Sequence, residues 1–174
     1  MRILAFLAFL FGAAPAFAAS TEVTTGVPAI PLIPLNAAIT FSSSYTPSTV
    51  TTLVTPPSNG AKVTVVNLAT SNSAALIVSL WKVRNSVNTL ICTVSLPAYS
   101  GYYNGSTVYA PVNLISPQNC PGLVPDSNGN PFILLQGSND SAGFADLLAV
   151  SSSTAPASSL NLYIMAQGGS FSAN

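Results

Sequence analysis

The chain has 174 residues, of which 5% are charged against about 25% in ordinary soluble domains, with four Lys or Arg, four Asp or Glu and no His. The absence of His excludes Ser-His, Cys-His and His-metal sites, and so few cations exclude nucleic-acid binding through a basic patch. We therefore predict a non-enzymatic protein with no catalytic residue, no metal ligand and no cofactor.

The first 18 residues are predicted to be an export signal. An apolar run at residues 3–11 is followed by small residues that end in A-x-A at residues 16–18, which predicts cleavage between Ala18 and Ala19. A membrane helix is the alternative, but fewer than about 18 apolar residues precede Pro15, which is short for a span. We expect no membrane span after cleavage and a location outside the cytosol: extracellular, at the cell surface or periplasmic.

The chain from Ala19 onward has almost no net charge, with three cations against four anions. Its length of about 156 residues is enough for one domain with its own core. Little self-repulsion opposes association of such a chain. The composition therefore favours self-association.

Residues 19–48 are predicted to be a Pro-rich extended arm. Pro28, Pro31 and Pro34 recur every third residue, which is the period of a polyproline II helix. The apolar residues between them favour an arm that lies on the domain or on a neighbouring subunit. A loose linker is the alternative.

Residues 49–174 are predicted to be an all-β domain, an antiparallel jelly-roll-like β-sandwich of about eight strands. Short runs rich in Val, Ile, Thr and Tyr alternate there with clusters of Ser, Asn, Gly and Pro. The predicted strands span residues 49–55, 62–69, 75–84, 90–96, 107–112, 131–136, 143–150 and 160–166. A short helix is the alternative for residues 143–150.

The side-chain alternation also predicts which face of a strand is buried. In residues 90–96 the inward set is predicted to be Leu90, Cys92, Val94 and Leu96. Residues 160–166 are predicted to bury Leu160, Leu162, Ile164 and Ala166. The run at residues 75–81 has too many apolar residues for alternation, so we expect a central strand covered on both faces at its start.

Cys92 and Cys120 are the two cysteines of the chain, and in an exported protein they are most simply a disulfide. The alternative is a buried thiol at Cys92 with Cys120 in a loop beyond its reach.

Residues 126–130 bring oxygen ligands together around a glycine, as at the start of a calcium loop. No carboxylate stands at the far end of that loop, so we predict an Asn-Gly turn instead.

Four tyrosines, Tyr99, Tyr102, Tyr103 and Tyr109, crowd one Gly- and Asn-containing loop. Rigid aromatic rings of this kind favour a protein interface, a sugar-binding groove or packing at a sheet edge. Trp81, at the end of a predicted central strand, is a further candidate, although such a residue is more often part of the core.

Several turn and strand phrases together resemble a known family. They are residues 63–68, 74–81 and 113–117, and the phrase PGLVPDSNGNPF at residues 121–132. In these phrases and in its Gly-ended last strand, the chain resembles small β-sandwich virion proteins of tailed bacteriophages and prophages of proteobacteria. The resemblance covers roughly residues 49–171. It implies a structural, virion-associated role, with no catalytic residues to transfer.

The sequence thus predicts an exported structural or interaction protein whose partners are other copies of itself or other structural proteins. The alternative is a secreted or cell-surface module that binds a carbohydrate or protein ligand through the tyrosine-rich loop.

Overall fold

A computed structural model of the protein describes residues 33–138 and 143–171. The predicted signal, its cleavage point between Ala18 and Ala19, and residues 19–32 of the predicted arm lie outside the described residues. Within the described ranges the protein is all-β, with nine strands and two antiparallel sheets. No helix in these ranges is long and apolar enough to cross a membrane.

The nine strands are, in chain order, β1 Ile33–Phe41, β2 Thr51–Val54, β3 Ala61–Thr70, β4 Leu76–Arg84, β5 Val87–Leu96, β6 Val112–Asn113, β7 Ile133–Leu135, β8 Leu147–Ser152 and β9 Leu162–Ser170. The first sheet has the order β1-β9-β3-β6, and β7 also pairs with β3. The second sheet has the order β2-β8-β4-β5. Strands that follow each other in the chain therefore often lie in different sheets.

A single apolar core joins the two sheets, which gives the molecule a sandwich-like form. The period of two along each strand puts alternate side chains on the inner face. In β9 this inner set includes Leu162, Ile164 and Ala166, as predicted, whereas Leu160 lies before the strand and is only half-buried. Leu80 and Leu148 of the second sheet belong to the same core cluster.

The eight strands predicted from the sequence all overlap observed strands, although their lengths differ. The segment at residues 143–150 forms a strand rather than a helix, and β8 starts at Leu147. Residues 107–112 are strand only at Val112, because the residues before it form one side of an exposed hairpin. β1 is the strand that was not predicted.

The prediction that Leu90 faces inward is wrong. Leu80 pairs with Cys92 whereas Trp81 pairs with Leu90, so Ile91 is an extra residue at a β-bulge. An extra residue reverses the alternation on one side of the bulge. Leu90 is therefore 50% exposed, while the predicted inward residues beyond the bulge are buried.

The prediction that the start of β4 is covered on both faces is also wrong. β4 is an interior strand of its sheet, between β8 and β5. Leu76 and Val78 are buried, but Ile77 between them is 49% exposed. A sheet of a two-layer molecule packs on the core with one face only, so the other face of β4 meets solvent.

β1 lies within the segment predicted to be a Pro-rich arm and pairs with β9 along its whole length. Leu35, Ala37 and Ile39 are partly buried and pack against the core. Pro34 is tolerated because it lies near the start of a strand at the sheet edge.

Candidate interaction surfaces

The charged side chains in the described part of the chain are paired with one another. Lys62 Nζ lies 3.8 Å from Asp126 Oδ2, and Lys82 Nζ lies 2.8 Å from Asp146 Oδ2. Arg84 Nη1 lies 3.5 Å from Asp146 Oδ1. Among the described residues no group of three or more His, Cys, Asp or Glu could hold a metal ion. The other two acidic residues of the chain, Glu22 and Asp140, lie outside the described residues.

The carboxylate of Asp126 holds a turn. Its Oδ1 accepts hydrogen bonds from the backbone N–H groups of Asn128 at 2.9 Å and Asn130 at 3.0 Å. The bond from Asn130 is the main reason that the pKa of Asp126 is lower than usual, and the bond from Asn128 and the charge of Lys62 lower it further. Gly129 has a φ of 81°, as a turn glycine. The segment thus forms the predicted Asn-Gly turn.

Asp146 is fully buried. Its Oδ2 accepts a hydrogen bond of 2.9 Å from the backbone N–H of Gln136, and its own N–H donates to the Gln136 carbonyl at 2.8 Å. Arg84 Nη1 donates to Gln136 Oε1 at 2.6 Å. The cluster of Lys82, Arg84, Gln136 and Asp146 ties β4 to the segments that flank β7 and β8.

The tyrosine-rich loop is an exposed β-hairpin. Tyr109 N–H donates to the Tyr102 carbonyl at 3.0 Å, and Tyr103 pairs with Val108. Asn104 Oδ1 closes the tip by accepting bonds from the backbone N–H groups of Ser106 and Thr107. Backbone hydrogen bonds and the Asn104 side chain thus order the hairpin.

The four predicted tyrosines lie together on this hairpin but fall into two pairs. Tyr99 and Tyr109 contact each other, with ring centroids 5.8 Å apart. Tyr102 and Tyr103 are 46% and 58% exposed. The Tyr103 hydroxyl donates to the Gly105 carbonyl at 2.8 Å.

Trp81 lies away from the tyrosine hairpin. It is five residues along β4 from Leu76, whose partner Leu96 ends the strand before the hairpin, and five residues along a strand rise roughly 17 Å. Its indole N–H donates to Ser151 Oγ at 2.9 Å, which links β4 to β8. Trp81 therefore does not join the tyrosines in one site.

Cys92 and Cys120 form the predicted disulfide, with Cα atoms 5.2 Å apart. Both residues are buried. The bond ties the β5 edge strand to the loop after β6. Such bonds persist in oxidising compartments, so this one is consistent with an exported protein.

The edges of both sheets are without charge. β1 and β5 are the long edge strands, and β2, β6 and β7 complete the edges. None of these five strands contains Lys, Arg, Asp or Glu. The charged strand residues Lys62, Lys82 and Arg84 lie on the interior strands β3 and β4.

An apolar groove of about 280 Å³ lies on the outer face of the first sheet, next to the β1 edge. Its lining residues are Ala38, Ile39, Thr40, Asn67, Leu68, Ala69, Pro111, Tyr163, Ile164 and Met165. This surface was not predictable from the sequence, because it joins residues from three strands and a loop. Comparison of the chain with protein-family models, curated proteins and solved structures found no match.

Proposed function

We propose that the protein is an exported, non-enzymatic structural protein that assembles with copies of itself through the edges of its sheets. One observation supports this most directly: every edge strand is uncharged, while the charged strand residues lie in the interior of the sheets. Monomeric β proteins usually protect their edges with Lys, Pro or bulges, because an open edge is a template for another strand. Of these devices, the edge strands here lack Lys and every other charged residue, whereas Pro34 lies on β1 and a bulge lies on β5.

The proposed architecture is a jelly-roll-like sandwich. The strand orders β1-β9-β3-β6 and β2-β8-β4-β5 support it, because they interleave early and late strands as two Greek keys do. Counting β6 and β7 as one interrupted strand gives the eight strands of such a fold. An open sandwich of this kind keeps two edges on each sheet for assembly.

Export and a virion-like role are parts of the same proposal. The signal pattern of residues 1–18 and the disulfide between Cys92 and Cys120 support export. Residues 49–171 resemble small β-sandwich virion proteins of tailed phages, which supports a structural role in a particle. The Pro-rich segment at residues 19–32 would add contacts between subunits.

The location and size of the protein in the source culture test this function. Particles banded after prophage induction and the particle-free supernatant are searched by mass spectrometry for the peptide that begins at Ala19. A stoichiometric amount in particles supports a virion component, and a large assembly in the supernatant supports a secreted structural protein. A monomer in the supernatant alone contradicts the proposal.

A second function is favoured by the tyrosine hairpin, whose Tyr102 and Tyr103 rings are exposed on a backbone-ordered loop. A secreted or cell-surface module could use these rings to bind a carbohydrate or a protein. Glycan-array binding by a monomer, lost in Tyr102→Ala and Tyr103→Ala, supports this alternative. Absence of binding by the wild-type protein contradicts the carbohydrate form of it.

A further inference from the structure

We infer that β1 is the edge through which two copies of the chain join, by antiparallel pairing of β1 with β1 about a twofold axis at Ala38. This inference rests on the proposed function and specifies it, because it names the edge, the partner and the register. No strand in residues 33–138 and 143–171 pairs with the outer edge of β1. The partner is a second copy of this chain.

The backbone groups on the free edge follow from the hydrogen bonds of β9. The Asn161 carbonyl accepts from Ser71 N–H, and Phe171 N–H donates to the Gly60 carbonyl. The backbone groups of the two odd-numbered residues that flank β9 therefore point to β3. Because backbone groups alternate in direction along an antiparallel strand, those of the even-numbered β9 residues point to β1.

The β1 partners of the even-numbered β9 residues are odd-numbered, from Ile33 opposite Ser170 to Phe41 opposite Leu162. The backbone groups of the even-numbered β1 residues consequently point to the free edge. These residues are Pro34, Asn36, Ala38 and Thr40.

Proline fixes the register of a symmetric pair. Pro34 has no N–H, so the free edge offers N–H groups only at Asn36, Ala38 and Thr40. With Ala38 opposite Ala38 of the second copy, Asn36 lies opposite Thr40, and every one of these N–H groups meets a carbonyl. An axis at Asn36 would place Pro34 opposite Ala38 and lose bonds. An axis at Ala37 would place Pro34 opposite Thr40 and leave the Thr40 carbonyl without a donor, and an axis at Ile39 would place Asn36 opposite Ser42, beyond the end of β1. An axis at Thr40 would pair residues beyond the end of β1.

The side chains and the shape of the edge suit this pairing. The β1–β9 register has no shift over its nine paired residues, whereas the β4–β5 register shifts at the bulge near Leu90. A bulge twists an edge away from a partner, so β1 is the better template of the two long edges. Asn36, Ala38 and Thr40 are small and uncharged, so two copies approach without repulsion.

The apolar groove continues the interface on the outer face of the sheet. Ala38 and Thr40 line it together with the exposed side chains of Tyr163 and Met165. Pairing at Ala38 brings the grooves of two copies side by side across the axis. Burial of this apolar surface adds to the backbone hydrogen bonds.

Cysteine cross-linking of the chain from Ala19 tests the register. Residues opposite each other at a hydrogen-bonded position have Cα atoms about 5.5 Å apart, within the range that a disulfide spans. We expect Ala38→Cys to form a covalent dimer under mild oxidation, seen on a non-reducing gel and located by peptide mass spectrometry. The native bond between Cys92 and Cys120 must remain intact in that analysis.

Matched single variants at neighbouring even positions are the controls. Asn36→Cys and Thr40→Cys, each alone, place their equivalent Cα atoms about 14 Å apart and should not cross-link. An equimolar mixture of the two should form the mixed dimer. Cross-linking of either single variant as strongly as Ala38→Cys overturns the register.

Ala38→Pro tests the pairing in a second way. It removes an N–H that points to the free edge and leaves the hydrogen bonds to β9 in place. We expect the dimer dissociation constant to rise at least about tenfold, while circular dichroism and the native disulfide stay as in the wild type. Ala38→Lys should give the same result by adding charge to the edge.

The outcomes separate this inference from the proposed function. A wild-type oligomer in which Ala38→Cys does not cross-link and Ala38→Lys changes nothing overturns the β1 pair but leaves self-assembly standing. A wild-type monomer that shows no cross-linking at any of the three positions overturns both.

Discussion

Asp146 is a buried residue that forms ion pairs with both charged residues of β4, Lys82 and Arg84. Removing its negative charge takes the ion-pair partner from Lys82 and one of the partners from Arg84, which keeps its bond to Gln136 Oε1, and leaves the Gln136 N–H without a charged acceptor. Because both cations are partly exposed, they recover some hydration. We therefore expect Asp146→Asn to lower the free energy of unfolding by about 1–3 kcal/mol, measured by urea denaturation.

Asp126→Asn is the control for that experiment. The Asp126 carboxylate is at the surface, and an asparagine there keeps the Oδ1 acceptor of the turn. A loss of stability in Asp146→Asn no larger than that in Asp126→Asn would show that the buried cluster is not important for stability.

Gly168 lies where the backbone of β9 crosses the bulge of β3. A Cβ atom at this position would lie 2.0 Å from the Lys62 carbonyl oxygen and 2.9 Å from Val63 Cα. Backbone atoms cannot move away cheaply, so we expect Gly168→Ala to destabilise the protein by about 1–3 kcal/mol. Thermal unfolding measures the effect. In Gly122→Ala, where no atom lies within 4 Å, the melting temperature should stay close to that of the wild type, and equal melting temperatures for the two variants would contradict this account.

At the scale of the elements, the disulfide joins β5 to the loop after β6 across a separation of 28 residues. The chain-entropy model gives a loop of this size a stabilisation of about 3–4 kcal/mol at most. We expect the double variant Cys92→Ser, Cys120→Ser to lose stability up to that amount in urea while keeping its β-sheet circular dichroism. Wild-type protein reduced with dithiothreitol should behave in the same way. A double variant as stable as the oxidised wild type would refute the assignment of stability to this bond.

Strands with regular alternation were predictable from the sequence, because alternation is a local property. β9 is the clearest case, with Leu162, Ile164 and Ala166 buried as predicted. The exposure of Leu90 was not predictable, because a bulge is a property of two paired strands. β1 was missed because Pro34 and its neighbours have a period of three, which outweighed the alternation that follows them.

The candidate sites show the same contrast: features that depend on one segment were predictable, and features that depend on the pairing of strands were not. The bond between Cys92 and Cys120 followed from the predicted compartment and the cysteine count. The grouping of Tyr99 with Tyr109 followed from their nearness in the chain. The free edge of β1 depends on which residues of β9 face β3, and no single segment contains that information.

At the scale of the whole molecule, the charged residues in the described ranges lie on interior strands or in connecting segments, and the edge strands are uncharged. Association through such edges should respond little to salt, because no charge pairs are formed or broken. We expect the association constant to change by less than about threefold between about 0.05 and about 0.5 M salt. Sedimentation equilibrium at the two salt concentrations checks this, and a tenfold weakening at high salt would point to a charged interface.

The most direct test of the central claim, self-assembly through open sheet edges, is sedimentation velocity of the chain from Ala19 over a concentration series from about 1 to about 100 µM. The account predicts that dimers or larger assemblies dominate the upper part of this range and that Ala38→Lys shifts the distribution towards monomer. A wild-type protein that sediments as a monomer at every concentration would contradict it.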